Sequence, residues 1–284
     1  MSGAALGASG EVFRNRTRSA KRLGRSIAEG ARRRGEEAKE ASKAAYERLL
    51  GIARATLKQA TKVQQMLRSE EAHLGGGRLA DELERFEGLL ERVVGQTERR
   101  VLSGESLAAG QKLVSLFEEH TAIIARGKAG KKIEFGRKVW LEEVEGGIVS
   151  SYRILEGNPS DEKQFQPSLQ NHQRLFGRPP WLVAADRGVY SSANEEAARG
   201  MGVQRVGLPK KGAKDAERHR YERQGWFRRA SRFRVGIEGR ISVMKRRGYL
   251  GRCRDKGEEG FGRWVGWGVL SSNLHAIARA EAAR

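Results

Sequence analysis

The feature that most constrains the fold is an apolar run that stops at a carboxylate. Residues 183–185 are Val-Ala-Ala, and they are followed directly by Asp186, Arg187 and Gly188. A short apolar run bounded by a glycine and polar residues is typical of a buried strand. We therefore expect Asp186 at the carboxyl end of a strand, where open sheets with helices on both faces hold their ligands.

A helix is predicted further along the chain. Apolar residues recur at spacings of four and three through residues 237–244, which is the pattern of one helix face. Arg234, Glu238 and Lys245 are offset by four and then seven residues, so they project from neighbouring turns of one face. One carboxylate from a strand end and one from a helix, surrounded by positive charge, suit a divalent metal beside a phosphate. We expect Asp186 and Glu238 to lie close together.

Each of these carboxylates also has a structural interpretation, and both interpretations stay open. Asp186 can cap a turn or a helix, and Glu238 can pair with a nearby arginine. Asp161, which ends the stretch Asn-Pro-Ser-Asp at residues 158–161, is expected to cap the following helix rather than to bind metal.

The motifs resemble those of a known family. Asp186-Arg-Gly followed by Arg234-x3-Glu238-x6-Lys245 is similar to the second and third acids of the DDE transposases of bacterial insertion sequences. The family's tyrosine three residues before the arginine is Ser231 here. Further agreement lies at residues 134–139, 156–161, 177–180 and 273–274. The resemblance covers residues 113–280 and is greatest to the ISNCY-type subgroup.

The resemblance implies a fold and an activity. The fold would be α/β, an RNase H-like mixed sheet with an N-terminal long helical hairpin as an insertion. The activity would be DNA transposition by phosphoryl transfer, with Mg²⁺ or Mn²⁺ held by Asp186 and Glu238 and phosphate positioned by Arg234 and Lys245. The partners would be transposon ends and target DNA, with a second copy of the chain or a full-length transposase as the protein partner.

One departure from the family affects the expected activity. The family's first catalytic aspartate lies on a strand upstream of the helical insertion, and only Asp81 and Asp161 precede Asp186 in this sequence. Neither follows a clear strand pattern, so we expect that strand and its aspartate to be missing and the chain to be inactive by itself. The alternatives are a noncatalytic DNA-binding remnant of a transposase and an RNA-associated basic protein.

Charge narrows the class of partner. The chain has 55 Lys and Arg against 35 Asp and Glu, a net charge of +20, which favours a polyanion. No apolar run reaches the ~18 residues of a spanning helix, and no secretory signal opens the chain, so we expect a cytoplasmic, nucleoid-associated protein without a membrane partner. Residues 210–256 carry 17 basic and 5 acidic residues, with aromatic residues among the arginines. The expected DNA contacts are Lys210, Lys211, Arg228, Arg229, Arg232, Arg246 and Arg247.

Composition divides the chain into three regions. Residues 1–10 are small and rich in Gly and Ala, which predicts a disordered leader. Residues 11–112 have two apolar stripes separated by three glycines at 75–77, which predicts an antiparallel helical hairpin. Residues 113–284 begin with three expected antiparallel strands and continue with alternating strand and helix, which predicts a mixed sheet. The resemblance implies that this region is an incomplete RNase H-like transposase catalytic domain.

Overall fold

A computed structural model describes residues 14–33, 35–69, 76–125, 133–246 and 250–283. The chain divides into two compact units, Met1–Leu116 and Phe117–Arg284. The leader expected at residues 1–10 lies outside the described residues. Within the described ranges, no helix is both long enough and apolar enough to cross a membrane.

The described residues of the first unit form three α-helices where the sequence predicted a hairpin of two. They are α1 (Thr17–Gly30), α2 (Glu36–Ser69) and α3 (Gly76–Thr97). The unpredicted break falls between α1 and α2, where Gly35 has a φ of +117°. Glycine reaches that conformation without the steric penalty that other residues pay, so the chain reverses there although the flanking composition favours helix.

Both pairs of neighbouring helices are antiparallel. The α2–α3 pair is joined by Arg54 to Glu98 near one end and by Arg68 to Asp81 near the other. Between α1 and α2, Arg16 donates a hydrogen bond to Gln59. The apolar face of α2 is buried at positions that include Leu50, Ala60 and Val63, which follow the helical spacing of the sequence.

The second unit mixes strands and helices, in agreement with the α/β class. Its strands are β1 (Ala122–Ala125), β2 (Ile133–Gly136), β3 (Lys138–Val144), β4 (Ile148–Leu155), β5 (Leu182–Ala184) and β6 (Arg205–Gly207). Its helices are α4 (Phe165–Phe176), α5 (Ser192–Gly200), α6 (Ala216–Arg223), α7 (Gly225–Arg246) and α8 (Gly257–Ala282).

The described strands form three two-stranded sheets. Strand β1 pairs with β2 and β3 with β4, both antiparallel, while β5 and β6 pair in parallel. The expectation of three consecutive antiparallel strands is confirmed for β3 and β4 and is wrong for the first strand, which pairs with the additional strand β2. Gly136, whose φ is +153°, ends β2, and Arg137 separates it from β3.

Two apolar clusters form the core of this unit, and α7 contributes to its packing at both ends. The first cluster surrounds the β5–β6 pair and includes Phe165, Val189 and Val206. Near its start, α7 packs against β6, where Ala230 lies against Gly207 so closely that an added methyl group would be 3.3 Å from its Cβ. Near its end, Met244 joins the second cluster, which connects β4 to α8.

A side chain of α8 holds the free edge of β4. The amide of Asn273 accepts a hydrogen bond from Val149 N at 2.8 Å and donates one to Val149 O at 2.9 Å. Alternate residues of a strand direct both backbone groups away from the neighbouring strand. The Asn273 side chain thus pairs with β4 as a third strand would.

Candidate functional site

Asp186 lies two residues beyond the end of β5, as the apolar run predicted. Its Oδ1 atom accepts a hydrogen bond from the Arg187 amide at 2.7 Å and caps the short helical turn Arg187–Val189. The side chain is 66% exposed, so capping leaves one face of the carboxylate open to solvent. Asp186 therefore combines the strand-end position with the capping role that the sequence left open.

The expected proximity of Asp186 and Glu238 is found in the structure. The Nη1 atom of Arg234 is 3.6 Å from Asp186 Oδ1 and 2.9 Å from Glu238 Oε1. Because both carboxylates contact the same nitrogen, they border a single small space. Glu238 is 63% exposed while Arg234 is only 22% exposed, so the arginine forms the inner wall and the carboxylates face outward.

The pattern of α7 explains why Arg234 is partly buried. A helix advances 100° per residue, which places residue 234 on the same face as the buried Phe227, Ala230 and Met244. Arg234 occupies a position in this inner row that would otherwise suit an apolar residue, and its guanidinium extends to the end of β5. Glu238 follows one turn later, at the edge of the row.

Lys245 is on the same helix but is not brought to the carboxylates. It lies seven residues beyond Glu238, about 10 Å along the helix axis. Its side chain is exposed, and no contact is formed with either carboxylate. Another lysine is closer to the Asp186 turn, since Lys211 Nζ donates to the carbonyl of Gly188 at 2.9 Å. Lys211 was expected from sequence as a DNA contact but not as a neighbour of the carboxylates.

Asp161 lies beside the same turn, and the capping role expected for it is wrong. Ser160 is the residue that precedes the helical turn Asp161–Gln164, and it forms no side-chain cap. Asp161 instead pairs with Lys138 Nζ at 2.6 Å, which directs its Oδ1 atom to a full positive charge rather than to a backbone amide. Its second oxygen would be 3.3 Å from a methyl group added at Gly188, so Asp161 borders the Asp186 turn.

The carboxylates fit one hard cation better than two. Among the described residues, no group of three or more His, Cys, Asp or Glu side chains is gathered so that it could hold a metal ion. Asp186 and Glu238 together offer two oxygen donors with solvent access, and Mg²⁺ commonly keeps several waters when it binds one or two carboxylates. A single Mg²⁺ or Mn²⁺, bound weakly and completed by water or phosphate, fits this donor set.

The outer face of α7 carries the expected DNA contacts. Arg228, Arg229 and Arg232 are exposed there, on the side of the helix away from the inner row. Arg228 donates to the Arg223 carbonyl, and Arg246 Nε lies 3.4 Å from the Ser242 carbonyl. Both contacts leave the positive charge uncompensated. Arg247 lies outside the described residues.

Lys210 and the aromatic residues among the arginines differ in their roles, since some pack inside the unit and one is exposed. Lys210 is half-buried, and its backbone amide donates to Glu222. Trp226 and Phe227 pack edge to face with Tyr221, so they stabilise the α6–α7 junction. Phe233 is 42% exposed beside the arginines and is the aromatic side chain on α7 that remains open to a partner.

Arg218 holds α6 in place, a role that sequence reasoning did not assign. It contacts Glu195 at 2.7 Å and Glu222 at 2.8 Å and also donates to the Leu208 carbonyl. Burial acts to lower the pKa of Arg218, but its hydrogen bonds to both glutamates raise the pKa above its ordinary value. Burial likewise acts to raise the pKa of Glu222, but hydrogen bonds from Lys214, the Lys210 amide and Arg218 lower it. The i, i+4 spacing of Arg218 and Glu222 is the signal in the sequence that indicates this pair.

Three comparisons with known proteins were negative. No protein-family model, curated protein or solved structure matches the chain. The functional conclusion therefore depends on the residues and geometry described above.

Proposed function

We propose that this chain binds duplex DNA and acts on it as an insertion-sequence transposase of the DDE type, with an RNase H-like catalytic unit. The main support for the proposal is that the carboxylates of Asp186 and Glu238 both contact the guanidinium of Arg234. One carboxylate comes from the end of a parallel strand and the other from a helix. That is the arrangement implied by the motif resemblance.

The position of Asp186 supports a site rather than an incidental ion pair. Strand β5 pairs in parallel with β6, and ligands of α/β proteins bind beyond the carboxyl ends of such strands. Lys211 and Arg234 bring positive charge to the same turn. A cation held by Asp186 and Glu238 would offset their negative charge, and the positive charges of Lys211 and Arg234 would then attract a phosphate to the same place.

Asp186 and Glu238 are the residues that would hold Mg²⁺ or Mn²⁺. When bound, such an ion polarises a phosphoryl oxygen and helps to generate the attacking water or hydroxyl. Arg234 offsets the repulsion between the two carboxylates and keeps them at one place. Arg228, Arg229 and Arg232 would bind the DNA backbone along the outer face of the same helix and so set the register of the duplex.

A second candidate is a noncatalytic DNA-binding protein derived from a transposase. The finding that favours it is that no third metal-binding side chain joins Asp186 and Glu238 among the described residues. Hard cations held by so few carboxylates bind weakly. Under this alternative the exposed arginines of α7 keep their role and the carboxylates serve only as a cap and an ion pair.

Nicking of a supercoiled plasmid distinguishes the two candidates. The full chain is incubated with Mg²⁺ or Mn²⁺ and, in parallel, with EDTA. Transposase chemistry predicts metal-dependent nicking that Asp186→Asn abolishes and that Glu259→Gln leaves intact, since Glu259 is almost fully exposed on α8. Such nicking would also show that the expectation of a chain inactive by itself is wrong. DNA binding without nicking at any metal concentration would agree with that expectation and favour the noncatalytic alternative, and absence of DNA binding would exclude both.

A further inference from the structure

A groove between α1 and α2 has the chemistry of a phosphate-binding surface. It is an open groove of about 750 Å³ between two helix faces. Arg16, Ser19, Arg22 and Ser26 line it from α1 and the residues just before that helix, and Arg48 and Gly51 line it from α2. None of its lining residues is a carboxylate.

Helical spacing explains why these side chains face each other. Ser19, Arg22 and Ser26 are separated by three and four residues and therefore share one face of α1. Arg48 and Gly51 lie three residues apart and share one face of α2. The two walls thus present guanidinium and hydroxyl donors to one space, which are the groups that proteins use against phosphate oxygens.

The three arginines of the groove retain their charge without a carboxylate partner. Arg16 Nη1 is held by the side chain of Gln59 at 2.6 Å, a neutral acceptor. Within the described ranges, Arg16, Arg22 and Arg48 form no ion pair. On the opposite edge of α2 the arrangement differs, because Arg54 pairs with Glu98 and Arg68 with Asp81 and Glu84.

The charges of the first unit are also unevenly distributed, with an excess of positive charge on α1. Residues 14–33 contain eight Lys and Arg and one Glu, whereas residues 76–102 contain five Arg and six Asp and Glu. Positive potential is therefore concentrated on the α1 side. Charged residues along a single helix face are commonly just solvated, but here two helices converge on a concave surface, which focuses the field.

Gly51 keeps the groove open. A Cβ atom added at Gly51 would have no heavy atom within 4 Å, so the side chain of any other residue there would extend into free space above the groove. The backbone of α2 is therefore directly accessible to a ligand at this position. A side chain introduced at residue 51 can be used to fill the groove without disturbing the packing of the helices.

We propose that the α1–α2 groove binds the phosphate backbone of duplex DNA, as a contact site separate from the outer face of α7. The proposal rests on the proposed function only in the choice of duplex DNA as the polyanion. It assigns Arg22 and Arg48 as phosphate contacts from opposite walls, with Ser19 and Ser26 as hydrogen-bond donors between them.

The test uses the full chain and a fluorescent duplex of random sequence, with binding measured by anisotropy over a series of salt concentrations. Gly51→Glu places a negative charge in the groove, and Arg22→Gln with Arg48→Gln removes two phosphate contacts. Each contact contributes about one unit to the slope of log affinity against log salt, so the double variant should flatten the slope by about two units. Gly51→Glu should weaken binding at low salt at least threefold.

Two control variants share the position or the added charge of Gly51→Glu but should not weaken DNA binding. Gly51→Ala leaves the groove open, and Gly88→Glu adds the same charge on α3, where the added Cβ also meets nothing within 4 Å. Both should bind within twofold of the unmodified chain. Replacing a helix-interior glycine favours helix, so these variants are expected to fold, as circular dichroism can verify.

The outcomes separate this inference from the proposed function. If Gly51→Glu binds like Gly88→Glu and the double variant keeps its slope, the groove proposal is wrong, while a flatter slope in α7 variants would still support DNA binding by the second unit. If the groove variants lose binding to single-stranded RNA but not to duplex DNA, the choice of partner is wrong. A flatter slope in the groove variants alone would support the groove and move the DNA surface away from α7.

Discussion

The guanidinium of Arg234 lies 3.6 Å from the carboxylate of Asp186, and this contact joins the end of β5 to the middle of α7. Glu238 approaches the same nitrogen from the next turn of the helix. Two negative charges and one positive charge therefore meet at one point, and a metal ion that binds there competes with Arg234 for both carboxylates.

Removing this competitor should strengthen metal binding. A charge at about 4 Å in a water-like environment contributes about 1 kcal/mol, so Arg234→Gln should raise the affinity for Mn²⁺ about fivefold. Electron paramagnetic resonance of free Mn²⁺ in a titration of the full chain measures this affinity. Arg232→Gln, which removes an exposed charge from the same helix, is the control. An equal gain in both variants would show that only the overall charge matters.

Neutralising the outer face of α7 should reduce the salt dependence of DNA binding. Arg228→Gln, Arg229→Gln and Arg232→Gln together remove up to three phosphate contacts, which flattens the log-log salt slope by roughly two to three units. Anisotropy with a labelled duplex gives the slope. The matched control replaces Arg78, Arg92 and Arg100 by Gln in the region where carboxylates balance the arginines, and it should change the slope by less than one unit. If both triple variants behave alike, α7 is not the DNA surface.

Breaking the ion pair between Arg240 and Glu143 should destabilise the second unit. Glu143 is only 4% exposed, and Arg240 contacts it through Nε at 2.7 Å and Nη2 at 3.0 Å. Arg240→Met leaves a buried carboxylate without its partner, which should lower the free energy of unfolding by about 3 kcal/mol. Urea denaturation measures the change. The double variant with Glu143→Gln should recover part of the loss, and a larger loss in the double variant would contradict this explanation.

The side chain of Asn273 both donates to and accepts from β4, and substitutions can remove these two hydrogen bonds separately. Asn273→Asp keeps an oxygen for Val149 N but replaces the donor to Val149 O with a negative charge. We expect a loss of roughly 1–3 kcal/mol in the free energy of unfolding, with a smaller loss for Asn273→Ala. His275→Gln, at an exposed neighbouring position, should be neutral. Equal stability of the Asp variant and the unmodified chain would show that the side-chain amide is not needed at this edge.

Acid should weaken the second unit through Glu222. The pKa of this carboxyl is lowered in the folded chain, so the stabilisation is fully present above the ordinary glutamate pKa of about 4.3. As the pH falls from there through the lowered folded pKa, the unfolded chain takes up more protons and the stabilisation is lost. The melting temperature of Glu222→Gln should therefore fall less steeply between pH 6 and pH 3 than that of the unmodified chain. Parallel pH profiles would exclude Glu222 as a source of the acid sensitivity.

The local parts of the candidate site were predictable because their patterns are short. An apolar run that ends in Asp186 requires only that the run form a strand, and the spacing of Arg234 and Glu238 requires only a helix. The strand-end position of Asp186 and the spacing of the family's motifs together were the basis for expecting the carboxylates to meet, and they do. The cap of α5 is equally local, with the Ser191 hydroxyl accepting a hydrogen bond from Asn194 N at 3.2 Å.

The parts that sequence did not predict depend on contacts between distant residues. Nothing in the local pattern around Lys138 or Asp161 indicates that they pair, or that Asp161 borders the Asp186 turn. The pairing of β1 with β2 was not predicted, because a strand pattern does not specify its partner. The break at Gly35 was missed because a single residue with positive φ outweighs the helical preference of its neighbours.

The two hydrogen bonds between Asn273 and Val149 cannot form until late in the synthesis of this unit. The two residues are separated by 124 positions, so the β3–β4 hairpin leaves the ribosome long before the side chain that completes its edge. Until then the outer edge of β4 offers unpaired backbone groups, which can add a strand from another nascent chain. Helix α8 therefore protects a hairpin that was made much earlier, and translation that stalls before residue 273 should give an aggregation-prone product.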